Sequence, residues 1–200
     1  MNDAAPTKEP VKTASGAAPG AQPGGPGGRG QSRNPGKRPR RKSQYGTQLQ
    51  EKQDLKETFG IREEQLRKYY REAKRAGGQT GDILITILER RLDNAIFRAG
   101  FAQTRKQARQ MTSHKFFQVN GRSTDIPSYL LRPGDVVTVR EGKQKSQYFT
   151  NFEKRVQNAR VPSWVELTPE AFSFKVTSLP TAEEANLGID IRAIVEFFAR

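Results

Sequence analysis

Three cations at helical spacing are the residues of this chain whose types and pattern point most directly to chemistry. Arg105 and Arg109 are one helical turn apart, and Lys106 stands beside them. No acidic residue occurs between Asp93 and Asp125. A merely solvated surface is the alternative interpretation, but the one-signed charge favours contact with the phosphate groups of a nucleic acid.

The composition argues against several kinds of active site. The 200 residues contain no cysteine, which excludes disulfides, thiolate catalysis and cysteine-ligated zinc. The one histidine, His114, excludes multi-histidine metal sites and argues against a Ser-His-Asp triad. We therefore predict no metal, no cofactor and no enzymatic activity.

The net charge predicts a polyanionic partner. The chain carries 35 Lys and Arg against 21 Asp and Glu, a formal charge of +14 and a pI near 10.3. Such an excess fits a nucleic acid or an anionic membrane. No stretch approaches the roughly 20 apolar residues of a membrane span, and the first residues lack the apolar core of a signal peptide. We expect a cytoplasmic RNA-binding protein without a membrane partner.

Residues 1–44 differ in composition from the rest of the chain. They contain no Leu, Ile or aromatic residue, and Gly and Pro recur throughout, which predicts a disordered tail. The tail could serve solubility alone, but its one-signed charge favours an arm that folds on the RNA backbone. Its second half carries a run of seven cations: Arg29, Arg33, Lys37, Arg38, Arg40, Arg41 and Lys42.

Helices are predicted for the part of the chain that follows the tail. Apolar spacing indicates helices at about 47–59, 62–76 and 82–99, with Gly60 ending the first and Asp82 capping the third. Five cations on these helices, outside the apolar stripes, are further candidate RNA contacts: Arg67, Lys68, Arg71, Arg91 and Arg98.

A small mixed unit follows the helices. Thr104 and Gln107 match a capping box at the start of a short helix, and Asn120-Gly121 is a strong hairpin signal. A buried strand is expected at 136–140. Farther on, we predict a short strand at 172–176, a core position for Trp164 and a final helical segment that packs on the helical part.

Several motifs together resemble a known family. The stretch from 43 to 140 is similar to the uS-four family of small-subunit ribosomal proteins, of bacterial type, and the joint occurrence of the motifs is highly specific. The motifs that carry the resemblance are Ser43-Gln44-Tyr45-Gly46, Leu92-Asp93-Asn94, Thr104-Arg105, Ala108-Arg109-Gln110, Ser113-His114-Lys115, Val119-Asn120-Gly121 and Pro133-Gly134-Asp135.

The resemblance implies an α+β fold in which a helical domain contains an inserted small α+β RNA-binding module. The helical domain would combine residues 45–87 with 156–200. The module, residues 88–155, would hold two short helices and a small antiparallel sheet, and residues 1–44 would form the tail. The resemblance also adds Tyr45, His114 and Lys115 to the expected RNA contacts. The family's cysteine zinc site is missing, so the tail would replace contacts made there.

The resemblance further implies a structural constituent of the small ribosomal subunit. Such a protein binds a multi-helix junction in the five-prime domain of ribosomal RNA, nucleates assembly of the subunit body and affects translational accuracy. Expected partners are ribosomal protein S five and neighbouring small-subunit proteins, with messenger RNA as a further possibility. We expect it on the ribosome in the cytoplasm.

Two alternatives use the same module outside the ribosome. Arg91-Leu92-Asp93 is similar to the tripeptide that holds the catalytic aspartate of some pseudouridine synthases, yet no Gly-rich loop frames Asp93 here. The structural interpretation of Asp93 is an ion pair on a helix surface. The second alternative is a stress-response RNA binder, against which the helices before residue 88 and the Trp164 segment argue.

Overall fold

The computed structural model describes residues 43–150, 152, 156 and 160–199. The predictions for the basic tail, including Arg40, Arg41 and Lys42 as RNA contacts, lie outside the described residues. No helix in the described ranges is long and apolar enough to cross a bilayer. In the same ranges, no group of three or more His, Asp or Glu side chains is placed to hold a metal ion.

Between residues 43 and 116, the described chain forms five helices before the sheet begins. The first two match the prediction, and Gly60 ends the first in the left-handed conformation, with φ of 59°. The last helix, Ile191–Ala199, packs against the first and the third, as predicted. The five helices are α1 (Gln44–Phe59), α2 (Glu63–Ala76), α3 (Thr80–Glu89), α4 (Leu92–Arg98) and α5 (Arg105–Ser113).

The single helix predicted at 82–99 is wrong, because the chain breaks between α3 and α4. Arg91 is extended there, with ψ of 138°, and forms an isolated bridge with Leu130. The backbone N–H groups of Leu92 and Asp93 donate to carbonyls of the loop at 127–129, at 2.8 and 3.1 Å. These bonds replace the helical bonds that the apolar pattern predicted. Asp82 lies in the first turn of α3 and is not its N-cap.

One antiparallel sheet of five strands lies against α4 and α5. Its order is β2-β1-β3-β5-β4. Asn120 and Gly121 both have positive φ, 49° and 77°, in the turn between β1 and β2, which confirms the predicted hairpin. The strands are β1 (Phe117–Val119), β2 (Arg122–Ser123), β3 (Val136–Val139), β4 (Val165–Thr168) and β5 (Ser173–Val176).

The sheet takes strands from both sides of the predicted boundary at residue 156. β5 pairs with β3, and β4 was not predicted from the sequence. Both strands come from the segment assigned to the helical domain; the division into domains itself stays a prediction. Trp164 is 2% exposed and belongs to the core under the sheet, as predicted. A second core joins α1, α2, α3 and the last helix.

Candidate nucleic-acid interface

The short helix α5 begins as predicted, with one difference. The Thr104 hydroxyl accepts a hydrogen bond from the backbone N–H of Gln107 at 3.1 Å, which satisfies one N–H group of the first turn. The Gln107 side chain accepts from the N–H of Gln103 at 2.9 Å, and not from that of Thr104. The return bond of the capping box therefore goes to Gln103, one residue before the N-cap. Hydrogen bonds before and after Thr104 stabilise the start of α5.

Arg109 on α5 points to the interior of the molecule. Its Nε and Nη2 donate to Oδ2 of Asp93 at 3.0 and 2.7 Å. Nη2 also donates to the Phe59 carbonyl at 3.0 Å, and Nη1 donates to the Gly60 carbonyl. All three guanidinium nitrogens thus have internal partners, although a third of the side chain is exposed.

A second arginine completes the surroundings of Asp93. Arg91 is 2% exposed and donates from Nε and Nη2 to the two carboxylate oxygens, at 3.1 and 2.8 Å. Its Nη1 donates to the Tyr69 hydroxyl at 2.6 Å. Burial lowers the pKa of Arg91, but the hydrogen bonds and charge of Asp93 outweigh burial and raise it, so the group stays charged. We call Tyr69, Arg91, Asp93, Arg109 and the Phe59 and Gly60 carbonyls the Asp93 junction.

A parallel arrangement surrounds Glu89, which is 1% exposed. Arg98 donates to both carboxylate oxygens at 2.9 and 2.8 Å, and to the Ala185 carbonyl at 2.7 Å. Asn94 donates to Glu89 at 2.8 Å and accepts from Arg105 Nε at 2.7 Å. Arg105 also lies over the ring of Phe97, 4.6 Å from its centroid, and burial lowers its pKa.

The interpretation of α5 as a solvent-facing cationic surface is therefore corrected for its two arginines. Glu89 and Asp93 are buried carboxylates, and a buried charge must be paired. Arg91 and Arg109 pair with Asp93, and Arg98 pairs with Glu89. Arg105 donates to Asn94, which itself donates to Glu89. The expected ion pair of Asp93 exists, but it is buried and not on a helix surface. The role of the four arginines as RNA contacts stays a prediction.

Other predicted RNA contacts are exposed. Lys106 lies on the surface of α5, and His114 and Lys115, which follow the helix, are also exposed. Lys115 pairs with Asp125 at 3.4 Å. Tyr45, at the start of α1, is 52% exposed and packs on Phe197 with ring centroids 5.6 Å apart. Within the described ranges, helix α2 carries a group of five exposed cations on its face away from the core: Arg67, Lys68, Arg71, Lys74 and Arg75.

Two members of this group were missed as candidate contacts. Lys74 and Arg75 lie in the last turn of α2, where basic side chains are favourable to the helix dipole. Their spacing from Arg67 and Arg71 could have found them, because positions three and four apart share a helical face. A cleft of ≈ 440 Å³ opens where α1 ends and α5 begins, and exposed Lys106 lines it.

Comparison with known proteins gives two family matches. Residues 26–89 match the Ribosomal protein S4/S9 N-terminal domain, and residues 90–137 match the S4 domain. Small ribosomal subunit protein uS4 of Herpetosiphon aurantiacus is 47% identical over 163 residues, 80% of this chain and 77% of the relative. The uS4 protein of Corynebacterium ammoniagenes is 42% identical over 160 residues, 80% of each chain. The chain belongs to the uS4 family.

Membership in the uS4 family confirms the resemblance stated from the sequence motifs. A third relative, the uS4 protein of Thermoanaerobacter sp. strain X514, is 45% identical over 161 residues, 80% of this chain and 77% of the relative. The two family matches meet between residues 89 and 90, at the break between α3 and α4. The Asp93 junction crosses this point, since Phe59, Gly60 and Tyr69 precede it and Arg91, Asp93 and Arg109 follow.

Proposed function

We propose that this chain binds small-subunit ribosomal RNA through the exposed cations of α2 and α5. As a bacterial uS4 protein it is a structural constituent of the small ribosomal subunit, and it is located on the ribosome in the cytoplasm. The S4 domain is an RNA-binding module, and the strongly basic composition suits such a partner.

The observation that carries this proposal is that three cations on α2 are exposed and have no acidic partner among the described residues. Arg67 and Lys68 have acidic partners on the same helix, at 3.5 and 3.9 Å. Among the described residues, no acidic partner lies within 4.0 Å of Arg71, Lys74 or Arg75, and all three are exposed. Cations held on one helix without acidic partners can meet successive phosphates of a folded RNA.

The finer roles follow the family resemblance. The chain would bind a multi-helix junction in the five-prime domain early, nucleate assembly of the subunit body and influence decoding accuracy. Ribosomal protein S five is the proposed protein neighbour, and messenger RNA is a further proposed contact. The proposal includes no catalysis: Asp93, the residue of the enzyme alternative, is 3% exposed and is paired with two arginines.

The test is titration of structured five-prime-domain RNA at several salt concentrations. Each phosphate contact contributes about −0.9 to the slope of log K against log salt on duplex RNA. Arg71→Ala and Lys74→Ala should each weaken binding and make the slope shallower by about that amount. Lys175→Ala is the matched control, because this exposed cation lies on the sheet face opposite α4 and α5. Binding that is independent of salt would refute the proposal.

A further inference from the structure

The hydrogen bonds of Asp93 connect three separate parts of the chain. Through Arg91 they reach Tyr69 on α2, and through Arg109 they reach α5 and the carbonyls of the turn between α1 and α2. The partners of Arg109 are 16 residues from it at Asp93 and 50 residues from it at Phe59. Such long-range bonds fix elements against one another and not only within one helix.

We infer that Asp93 is a positioning residue, which with Arg91 and Arg109 holds α5 at one fixed angle to α2 for binding RNA. The inference rests on the proposed RNA-binding function and adds how its surface is built. Arg109 would then influence RNA affinity through Asp93 and the turn, without neutralising a phosphate itself.

The geometry at Gly60 supports a fixed arrangement. A guanidinium is planar, and its donors bind several acceptors in one rigid fork, so three internal acceptors determine its orientation. A Cβ atom at Gly60 would lie 3.2 Å from Arg109 Nη1, which is tighter than an ordinary contact. Gly60 also has φ of 59°, where side chains are strained. The turn therefore comes close to the arginine only because it has a glycine there.

The consequence for RNA concerns pre-organisation. Exposed cations on α2 and Lys106 on α5 can bind one RNA together only when their separation fits it. A rigid junction avoids the cost of ordering the two helices at the moment of binding. When the junction is loosened, the same phosphate contacts form in the complex, but the complex is less stable. Affinity should fall while the number of phosphate contacts, and hence the salt slope, stays the same.

The first experiment compares Asp93→Asn, Arg109→Gln and the double variant with the surface control Arg71→Ala, in full-length protein on five-prime-domain RNA. We expect about a tenfold or larger loss of affinity for each junction variant, with an unchanged salt slope. The double variant should lose less affinity than the sum of the two single losses, because both changes break the shared contact between Asp93 and Arg109. The control should instead make the slope shallower by about 0.9.

The second experiment measures the angle itself, without RNA. Because the chain has no cysteine, Lys74→Cys and Gln110→Cys place one spin label on α2 and one on α5. We expect a narrow distance distribution in the otherwise native protein and a broad or shifted one with Asp93→Asn. If Asp93→Asn does not fold, Arg109→Lys takes its place, since it keeps the charge and loses the fork.

Two results would overturn the inference. One is an unchanged distance distribution in the junction variants. The other is an Arg109→Gln variant whose salt slope becomes shallower and whose loss adds to that of Asp93→Asn, which would make Arg109 a direct phosphate contact. Failure of the proposed function looks different: the parent would not bind the RNA or Arg71→Ala would leave the slope unchanged, whatever the spin labels report.

Discussion

At the scale of single residues, the buried carboxylates decide what the arginines do. Arg105→Glu combined with Arg109→Glu would place new carboxylates beside Asp93 and Asn94. Breaking a buried ion pair costs about 3–5 kcal/mol, and the low end fits here because Arg109 is a third exposed. Thermal melts should show a large loss of stability. Lys106→Glu on the same helix is the control and should melt at the same temperature as the parent. If the double variant also melts like the parent, Arg105 and Arg109 do not have the internal partners described here.

Glu63 gives a residue-scale prediction for pH. Burial alone would raise the pKa of Glu63, but hydrogen bonds from Lys52 and Lys56, at 3.0 and 3.1 Å, outweigh it and lower the pKa below the ordinary value. A lowered pKa contributes stability that is present above the unfolded pKa and is lost as the pH falls through the folded pKa.

Glu63→Gln should therefore destabilise the protein at neutral pH and have little effect only at a pH below the lowered pKa of Glu63 in the folded protein. Thermal melts of both proteins at the two pH values measure this difference. Glu64→Gln, an exposed neighbour in the first turn of α2 without an ion pair among the described residues, is the control. A loss for Glu63→Gln that is the same at both pH values would show that packing, and not charge, explains the effect.

At the scale of elements, the turn between α1 and α2 requires a glycine at position 60. Gly60→Ala would put a side chain at φ of 59° and 3.2 Å from Arg109 Nη1. Backbone strain of this kind costs about 1–3 kcal/mol, which denaturant melts can measure. Gly142→Ala is the control, because Gly142 has no positive φ and open space around it. If the two variants unfold alike, the turn does not need its glycine.

The sequence predicts elements well where local chemistry decides. Gly60 as the stop of α1, the Thr104 cap and the Asn120-Gly121 hairpin are all found in the structure. The break at Arg91 was missed because its cause is distant, since the loop at 127–131 supplies the backbone partners. The apolar stripe continues through the break, so periodicity alone cannot locate it.

The candidate site was predicted less completely than the fold, for a similar reason. Composition and spacing identify the cations, but they do not show which cations form ion pairs with buried carboxylates. Arg98 pairs with Glu89, nine residues earlier in the chain, and Arg109 pairs with Asp93, sixteen residues earlier. Carbonyls of a turn, such as those of Phe59 and Gly60, leave no signal in residue type. Lys74 and Arg75 were missed although their helical spacing was visible.

At the scale of the whole molecule, the basic tail and the folded part should separate in function. The hydroxyl of Ser43, the residue that follows the deleted segment, caps α1 by accepting a hydrogen bond from the Gly46 N–H at 3.2 Å. A protein lacking residues 1–42 keeps this cap and loses no Leu, Ile or aromatic residue. Its thermal transition should therefore lie close to that of the full chain.

The same deletion should weaken binding to ribosomal RNA, because the run of seven cations from Arg29 to Lys42 is lost. Each phosphate contact removed should also make the salt slope shallower, by about 0.7 on single-stranded and 0.9 on duplex RNA. A full-length control with these seven cations replaced by glutamine separates charge from length. If the control binds like the deletion, charge alone explains the tail's contribution. A much lower melting temperature for the deletion would instead make the tail part of the fold and would move the boundary proposed at residue 44.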